Sequence, residues 1–216
     1  MDERAQGIVL RVHPLTETSL IVRWLTREHG RIATVAKGAR RAKSPFRGKL
    51  DLFYEADLVF RRSRRSELHS LRELSLRDTH FLLRTELGCL QQASYCSALI
   101  EQATENDTPI PATFHLLIAF LNNLRAESIS AQTVFAFELK LLHELGLKPD
   151  LDRSRLTDGA RKITQTLLGR DWDTILRLKL SAAQTRELRL FLHGFLIFHL
   201  GKVPASRSAA IDVEPK

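Results

Sequence analysis

Hydrophobic and polar residues alternate along roughly the first 78 positions, which is the pattern of β-strands with one buried face. Ile8, Leu10 and Val12 share one parity, as do the apolar residues of 20–24 and of 52–60. Segments 31–37 and 67–76 bring the predicted number of short strands to five, with turn residues between them. Five short strands are the number needed for a small closed barrel such as the OB-fold.

Beyond residue 78 the apolar period becomes helical. The pattern predicts helices over 81–105 and 159–168, one beginning at Pro111, one ending at Gly146, and one opened by Ser181. Gln184 follows Ser181 by three positions, which is the spacing of a capping box. Segment 169–173 is read as a turn. The predicted fold class is therefore α+β, with an N-terminal five-stranded OB-fold barrel followed by an all-α domain.

The change of period places the domain boundary near residue 79. We expect a barrel domain over 1–79, a helical domain over 80–201 and a mobile C-terminal tail over 202–216. The first residues lack the apolar stretch of a signal peptide, and no run approaches the roughly 18 apolar residues of a membrane span. A cytoplasmic protein with no membrane association is expected, and the two cysteines, Cys89 and Cys96, are interpreted as buried thiols on one helix.

Positive charge is concentrated at one end of the chain. Residues 1–80 carry 17 Lys and Arg against 10 Asp and Glu, whereas the remainder carries 16 against 15. Between Arg31 and Lys49 there are seven basic residues and no acidic one, and Gly38, Pro45 and Gly48 interrupt regular structure. A cationic loop of this kind predicts binding to nucleic acid phosphates, and a solvated basic face without a ligand is the alternative.

The candidate DNA-binding residues extend beyond this loop. Phe46 lies within the loop, either as a stacking platform for a base or as an anchor packed beneath it. A second basic cluster occupies a predicted strand connection and would lengthen the same surface. The full predicted set is Arg31, Lys37, Arg40, Arg41, Lys43, Phe46, Arg47, Lys49, Arg61, Arg62, Arg64 and Arg65.

Signatures of catalysis are missing from the sequence. The pair Gly48-Lys49 resembles a phosphate-binding loop, but Lys43 stands where glycine is needed and Leu50 where Ser or Thr is needed. The eight histidines are scattered, and the closest two, His193 and His199, lie six apart. We therefore expect a binding protein rather than an enzyme, with no metal and no cofactor.

Several motifs taken together resemble a known family. These are Gly7-Ile8-Val9-Leu10-Arg11, Glu17-Thr18-Ser19-Leu20, Thr26-Arg27-Glu28-His29-Gly30-Arg31, and Ala36-Lys37-Gly38-Ala39-Arg40-Arg41 followed by Phe46-Arg47-Gly48. Further similarity covers 137–153, and it returns at His199-Leu200-Gly201-Lys202. The combination resembles RecO, a family of recombination mediators in bacterial DNA repair, and it spans nearly the whole chain.

The resemblance implies an OB-fold followed by a helical domain, without covalent chemistry. It implies that the chain binds single- and double-stranded DNA, anneals complementary strands, and acts with RecR to load RecA onto strands coated by single-strand-binding protein, in association with the bacterial nucleoid. It also implies contact with the acidic C-terminal tail of single-strand-binding protein, for which Arg125 or Lys140 is the expected cation at the rim of an apolar groove.

One feature departs from the family. Many members carry a four-cysteine zinc site soon after the segment matching Leu151-Asp152-Arg153, whereas this chain continues with Ser154-Arg155-Leu156 and has no later cysteine. Zinc is therefore not expected, because the thiolate ligands are absent. From the charge pattern alone an RNA-binding OB-fold protein is an equally open alternative, while a metal-dependent nuclease is disfavoured by the lack of clustered carboxylates.

Overall fold

The computed structural model describes residues 1–124 and 129–213. The chain divides into two compact units: the first contains Met1–Phe81 and Thr104–His115, and the second contains Leu82–Ala103 and Leu116–Lys216. Among the described residues there are five β-strands, all in the first unit, and seven α-helices. The predicted fold class is confirmed: a closed five-stranded barrel of the OB type precedes a helical region.

The barrel has strand order β1-β2-β3-β5-β4, and β4 closes it by pairing with β1. All neighbours are antiparallel except β3 and β5, which pair in parallel over three positions. This arrangement removes free strand edges, which is how a small β-domain avoids edge-to-edge association. The strands are β1 Asp2–Pro14, β2 Leu20–Thr26, β3 Gly30–Ala36, β4 Glu55–Arg61 and β5 Leu68–Asp78.

The inward positions of the strands form the barrel core, as the alternation predicts. Trp24 is fully buried, and its indole Nε1 donates to Thr34 Oγ1 at 2.9 Å, so its single polar atom is satisfied. One departure occurs in β1, where the pairing register with β2 shifts between Val9 and Arg11. Val9 belongs to the barrel core cluster, whereas Ile8 and Leu10 are buried without belonging to it. The shared inward parity predicted for Ile8, Leu10 and Val12 was therefore wrong for the first two, because the bulge changes the parity of β1 between Val9 and Val12.

Segment Thr104–His115 belongs to the barrel unit, although the sequence assigned it to the helical domain. Its backbone pairs with the start of β3, which β5 leaves unpaired, because Asp107 N donates to Arg31 O at 2.8 Å and Asn106 forms a parallel bridge with Arg31. A Cβ on Gly30 would lie only 1.8 Å from Thr108 O, so glycine is required at this contact. The barrel unit therefore ends at Phe81 and includes a later segment, rather than comprising 1–79 alone.

The helices follow the predicted order with two differences. The predicted helix 81–105 is split into a 3-10 turn, Phe81–Arg84, and α1. The predicted turn at 169–173 leads into a short helix, α5, whose N-cap Asp171 accepts from Thr174 N at 2.8 Å. The helices are α1 Leu87–Ala103, α2 Pro111–Asn123, α3 Ala131–Glu144, α4 Asp158–Gly169, α5 Trp172–Arg177, α6 Ala182–Leu200 and α7 Arg207–Ile211.

Helix boundaries agree with the capping signals of the sequence. The predicted capping box at α6 is present: Ser181 Oγ accepts from Gln184 N at 3.2 Å, and Gln184 Oε1 accepts from Ser181 N at 2.9 Å. At the other end of α6 the chain turns at Gly201, which has a φ of 75°. No helix in the described part of the chain is long and apolar enough to cross a membrane.

Helix α3 is the centre of the helical unit and is buried on almost every side. Its Glu138 is fully buried and accepts two hydrogen bonds from Arg207, at 2.7 and 2.9 Å, and one from Tyr95 Oη at 2.5 Å. Burial first and the nearby Glu138 carboxylate second raise the pKa of Tyr95 well above its ordinary value, which keeps the hydroxyl protonated as a donor.

The expectation of a mobile tail was wrong for residues 207–211. They form α7, and Arg207, Ala210 and Ile211 are buried. Gln92 Nε2 donates to Ala210 O at 3.0 Å, and Arg189 forms a two-pronged ion pair with Asp212 at 2.5 and 2.8 Å. A five-residue helix is too short to show periodicity in the sequence, and its main anchor is a charge pair 69 positions apart that no local pattern reveals.

Replacement of Arg207 by alanine leaves the Glu138 carboxylate buried without its cation. We expect this variant to lose about 3–5 kcal/mol of unfolding free energy in the helical unit. Arg189→Ala, which breaks the more exposed pair with Asp212, is the matched control and should cost about 0–1 kcal/mol. Equilibrium urea unfolding followed by circular dichroism measures both, and equal losses would contradict the account.

Candidate nucleic-acid interface

The loop between β3 and β4 is an ordered chain of tight turns. Five backbone N–H groups each donate to the carbonyl three residues earlier at 3.0–3.3 Å, those of Ala39, Arg41, Ser44, Arg47 and Lys49. Gly38 and Gly48 have φ values of 67° and 72°, a region that favours glycine. The sequence therefore builds a compact loop without strand or helix, as the glycine and proline positions predicted.

Two apolar side chains fasten this loop to the barrel. Ala39 and Phe46 are 5% and 7% exposed and belong to the barrel core cluster. The loop is also joined to the β1–β2 turn, because Arg40 N donates to Thr18 O at 2.9 Å. Of the two roles considered for Phe46, the structure shows the anchor, and its assignment as a DNA-stacking residue was wrong because its ring is not accessible to a base.

The remaining loop side chains form a cationic surface. Six basic residues project from it; five are exposed and Lys49 is half-buried. Two of them touch backbone oxygens, with Arg40 donating to Thr16 O at 3.4 Å and Arg47 to Ala42 O at 3.1 Å. Among the described residues none of the six forms an ion pair with a carboxylate. We call these six residues the basic loop: Lys37, Arg40, Arg41, Lys43, Arg47 and Lys49.

Arg31 does not belong to this surface. Its Nε donates to Thr104 Oγ1 at 2.9 Å and its Nη2 to Thr104 O at 2.5 Å. The guanidinium therefore holds segment Thr104–His115 on the barrel. Its place in the DNA-binding set stays a prediction, but its donors serve a contact with a segment more than 70 residues away, which spacing could not predict.

The first half of the second basic cluster is neutralised by carboxylates. Arg61 pairs with Asp2 at 2.8 Å, and Arg62 pairs with Glu3 at 2.9 Å and with Asp107 at 2.5 Å. The hydrogen bond from Arg62 is the largest cause that lowers the pKa of Glu3, which keeps this carboxyl ionised beside its partner. Arg61 and Arg62 are therefore structural ion pairs rather than the open phosphate contacts that the sequence suggested.

Arg64 and Arg65 remain exposed in the β4–β5 connection. Strand β4 begins after the basic loop and ends at Arg61, so the two basic clusters lie at opposite ends of this seven-residue strand. At 3.3 Å per residue the separation is about 20 Å. The sequence suggested that the second cluster lengthens the surface of the basic loop. The structure instead separates the two clusters by the length of β4.

The barrel itself is electrostatically one-sided, which the sequence analysis overlooked. Residues 1–50 carry eleven basic residues and four acidic ones, whereas 51–80 carries six of each. The first stretch contributes β2, β3 and the basic loop, and it adds Arg11 and Arg23 to the exposed cations. A comparison of charge by strand, rather than by loop, would have revealed both residues.

The expected cation for an acidic tail, Lys140, is already engaged. Its Nζ donates to Leu168 O at 3.1 Å and to Arg170 O at 2.9 Å, and it lies 5.9 Å from the centre of the Trp172 ring. Burial is the main cause that lowers its pKa, partly offset by Asp171 and Glu144. Lys140 therefore secures the end of α4, and its assignment to a tail-binding rim stays a prediction. Arg125 lies outside the described residues.

The residues present do not fit the four-cysteine zinc site that the family resemblance raised. The chain has only two cysteines, Cys89 and Cys96, and both are buried in α1. Burial raises the pKa of Cys96 well above its ordinary value, which opposes formation of the thiolate that zinc requires. In the described part of the chain no three His, Cys, Asp or Glu side chains are grouped to hold a metal ion.

An OB-type barrel with a one-sided basic surface, joined to a helical unit, defines the class of this protein. The family model "Recombination protein O N terminal" matches residues 1–80, and "Recombination protein O C terminal" matches residues 84–157. The chain therefore belongs to the RecO family of DNA repair proteins, which confirms the resemblance inferred from its motifs.

Individual relatives agree with this assignment. "DNA repair protein RecO" of Bacillus pumilus is 31% identical over 225 residues, covering 99% of this chain and 82% of the relative. The protein of the same name from Salinibacter ruber is 27% identical, covering 96% of this chain and 92% of the relative. The one from Paraburkholderia xenovorans is 30% identical, covering 96% and 76%.

A DNA phosphate must compete with two carboxylates, those of Glu3 and Asp107, for Arg62, whereas Arg64 and Arg65 are exposed. We expect Arg64→Ala combined with Arg65→Ala to weaken oligonucleotide binding measurably at low salt. Arg62→Ala should change affinity little and instead lower the melting temperature of the barrel. Fluorescence anisotropy and thermal melting of the same samples separate the two effects, and a larger loss of affinity from Arg62→Ala would refute this distinction.

Proposed function

We propose that this chain binds single- and double-stranded DNA through the basic loop, anneals complementary strands and mediates recombinational repair without making or breaking covalent bonds. The observation that carries the proposal is the ordered loop, which presents six cations and no carboxylate on a folded anchor. Each Lys or Arg that neutralises a phosphate releases condensed counterions, and this is the main source of affinity for a polyanion.

Annealing follows from what the basic loop lacks. Two complementary strands repel each other through their phosphates, and a cationic surface lowers that barrier. Strong stacking on aromatic rings would keep the bases from pairing, at roughly 1–3 kcal/mol per stacked base. Between Lys37 and Lys49 the one aromatic ring, Phe46, is buried. The surface is therefore suited to holding backbones while leaving bases free.

Membership of the RecO family supports the rest of the proposal. According to this proposal, the protein acts with RecR, engages the acidic tail of single-strand-binding protein, and promotes RecA loading onto coated strands at the bacterial nucleoid. An RNA ligand is the alternative, because phosphate contacts alone do not distinguish the two nucleic acids.

Charge reversal of the basic loop tests DNA binding. The triple variant Arg40→Glu, Arg41→Glu and Lys43→Glu should abolish oligonucleotide binding and strand annealing, because it replaces three phosphate-binding groups with repulsive ones. All three side chains are exposed, so the melting temperature should change little. Anisotropy and an annealing assay measure the losses, with matched DNA and RNA oligonucleotides compared in wild type.

The control carries the same change of net charge elsewhere. Arg155→Glu, Lys162→Glu and Lys179→Glu alter three exposed positions of the helical unit and should retain DNA affinity. Equal loss in both triple variants would mean that only net charge matters, and wild-type affinity in the loop variant would remove the proposed function. Preferential binding of RNA would favour the alternative.

The exposed face of α6 is the site proposed for the acidic tail. Leu190, Ile197 and Phe198 are 67%, 43% and 82% exposed, an unusual concentration of large apolar side chains on one helix. Arg186 and Lys202 lie at the two ends of this face, and no carboxylate occurs between Glu187 and Lys202. This combination is complementary to an acidic peptide with an apolar terminus, whereas a second copy of the same face would bring like charges together.

Removal of the most exposed ring tests this site. Phe198→Ser should lower the affinity for a fluorescent acidic peptide ending in phenylalanine by about 10-fold or more. The reason is that burying an aromatic side chain contributes roughly 1.5–3 kcal/mol. Leu87→Ser alters an equally exposed apolar residue on α1 and is the control. Peptide anisotropy decides the matter: unchanged affinity in Phe198→Ser, or an equal loss in Leu87→Ser, would exclude α6 as the site.

A further inference from the structure

The second half of β5 has a neighbouring strand on one side only. Strand β3 pairs with β5 at three positions, the last being Val35 with Ser70, whereas β5 continues to Asp78. Over 72–78 the pairing is with β4 alone, and in the described part of the chain no backbone hydrogen bond from outside the sheet reaches these residues. Where β5 runs beyond β3, barrel closure therefore leaves alternate N–H and C=O groups that can pair with another strand.

The side chains of this stretch alternate between two faces. Leu74 and Leu76 pack against the barrel core and are only half-buried. Glu73, Ser75 and Arg77 are exposed on the outer face. Pairing with β4 is regular from Glu73 to Leu76, and the register shifts on either side of this stretch. The open edge thus has a short regular centre, and the irregularities around it limit how far an added strand can pair.

The order of these side chains is complementary to itself in the antiparallel sense. When two copies of β5 are aligned with Ser75 opposite Ser75, Leu74 of one protomer lies opposite Leu76 of its partner. In the same alignment Glu73 of one protomer lies opposite Arg77 of its partner, and each contact occurs twice because of the twofold axis. Directly opposed side chains have Cβ atoms about 4.5–5.5 Å apart, so apolar pairs and opposite charges at these positions stabilise a sheet.

A single copy of the chain does not satisfy this charge pattern. Glu73 and Arg77 are four positions apart, which is about 13 Å along a strand, so they cannot pair with each other. Glu73 forms no ion pair with any described residue, whereas Arg77 pairs with Asp57 at 2.8 Å. Because a guanidinium has five N–H donors, Arg77 can keep Asp57 and bind a second carboxylate as well.

We propose that two copies of this chain associate through the open edges of their β5 strands, antiparallel about Ser75, so that the sheet of one barrel continues into that of the other. The contact uses the same edge on both protomers, so association ends at a dimer and does not continue into a filament. The dimer does not depend on the proposed function. It suits annealing, however, since one particle then carries two basic loops and can hold two DNA strands.

Two charge reversals test the pairing at about 0.15 M salt, without DNA. Glu73→Arg alone places arginine opposite Arg77, and Arg77→Glu alone places two carboxylates opposite each other. Each variant should weaken the dimer about 10-fold or more, because two symmetric pairs change from attraction to repulsion. An equimolar mixture of the two variants should associate as wild type does, because every opposed pair again joins opposite charges. Sedimentation equilibrium over a range of concentrations measures all four samples.

Arg61→Glu is the matched control, since it breaks another exposed ion pair of the barrel, with Asp2 at 2.8 Å, and makes the same change of charge away from the open edge. It should associate as wild type does. A wild-type chain that is monomeric at every concentration would overturn the proposal. So would single variants that associate normally, a mixture that associates no better than either variant alone, or an equal loss in Arg61→Glu. A monomeric protein that still binds and anneals DNA would leave the proposed function intact.

Discussion

The structure depends on keeping carboxylates away from one side of a small barrel. Six like charges in a thirteen-residue stretch repel one another, and such a segment would extend in water if nothing held it. Ala39 and Phe46 oppose this repulsion by burying apolar surface in the barrel core, and consecutive turns satisfy the backbone. The result is a pre-organised cationic surface, so little conformational entropy remains to be lost when a polyanion binds.

The other charges of the chain illustrate the opposite solution. Arg31, Arg62 and Lys140 look available in the sequence, yet each is bound to oxygen atoms of the protein and stabilises a docked segment. Deep in the helical unit, Arg207 and Glu138 form a pair that anchors the last helix. The protein thus uses cations in two ways. Where carboxylates or carbonyls surround them they stabilise the fold, and where such groups are absent they form a surface that can bind a polyanion.

The sequence predicted the architecture because the spacing of its apolar residues, with a period near 2 in strands and near 3.6 in helices, reports directly on burial. It predicted the basic loop because glycine and proline positions exclude regular structure there. It did not predict α5 or α7, which are too short to show a period, nor the bulge in β1 between Val9 and Arg11. The sequence did not reveal the contacts of Arg31, Arg61 and Arg62, because their partners lie 45 to 73 positions away and charge alone does not reveal pairing.

The most direct test of the account is the salt dependence of single-stranded DNA binding by the unaltered protein. Because affinity is attributed to phosphate neutralisation by open cations, log affinity should fall linearly with log salt, with a slope of about −0.7 for each phosphate contacted. Contacts from the six cations of the basic loop should give a slope of about −4. An affinity that is nearly independent of salt would contradict the claim that the one-sided basic surface holds the DNA backbone.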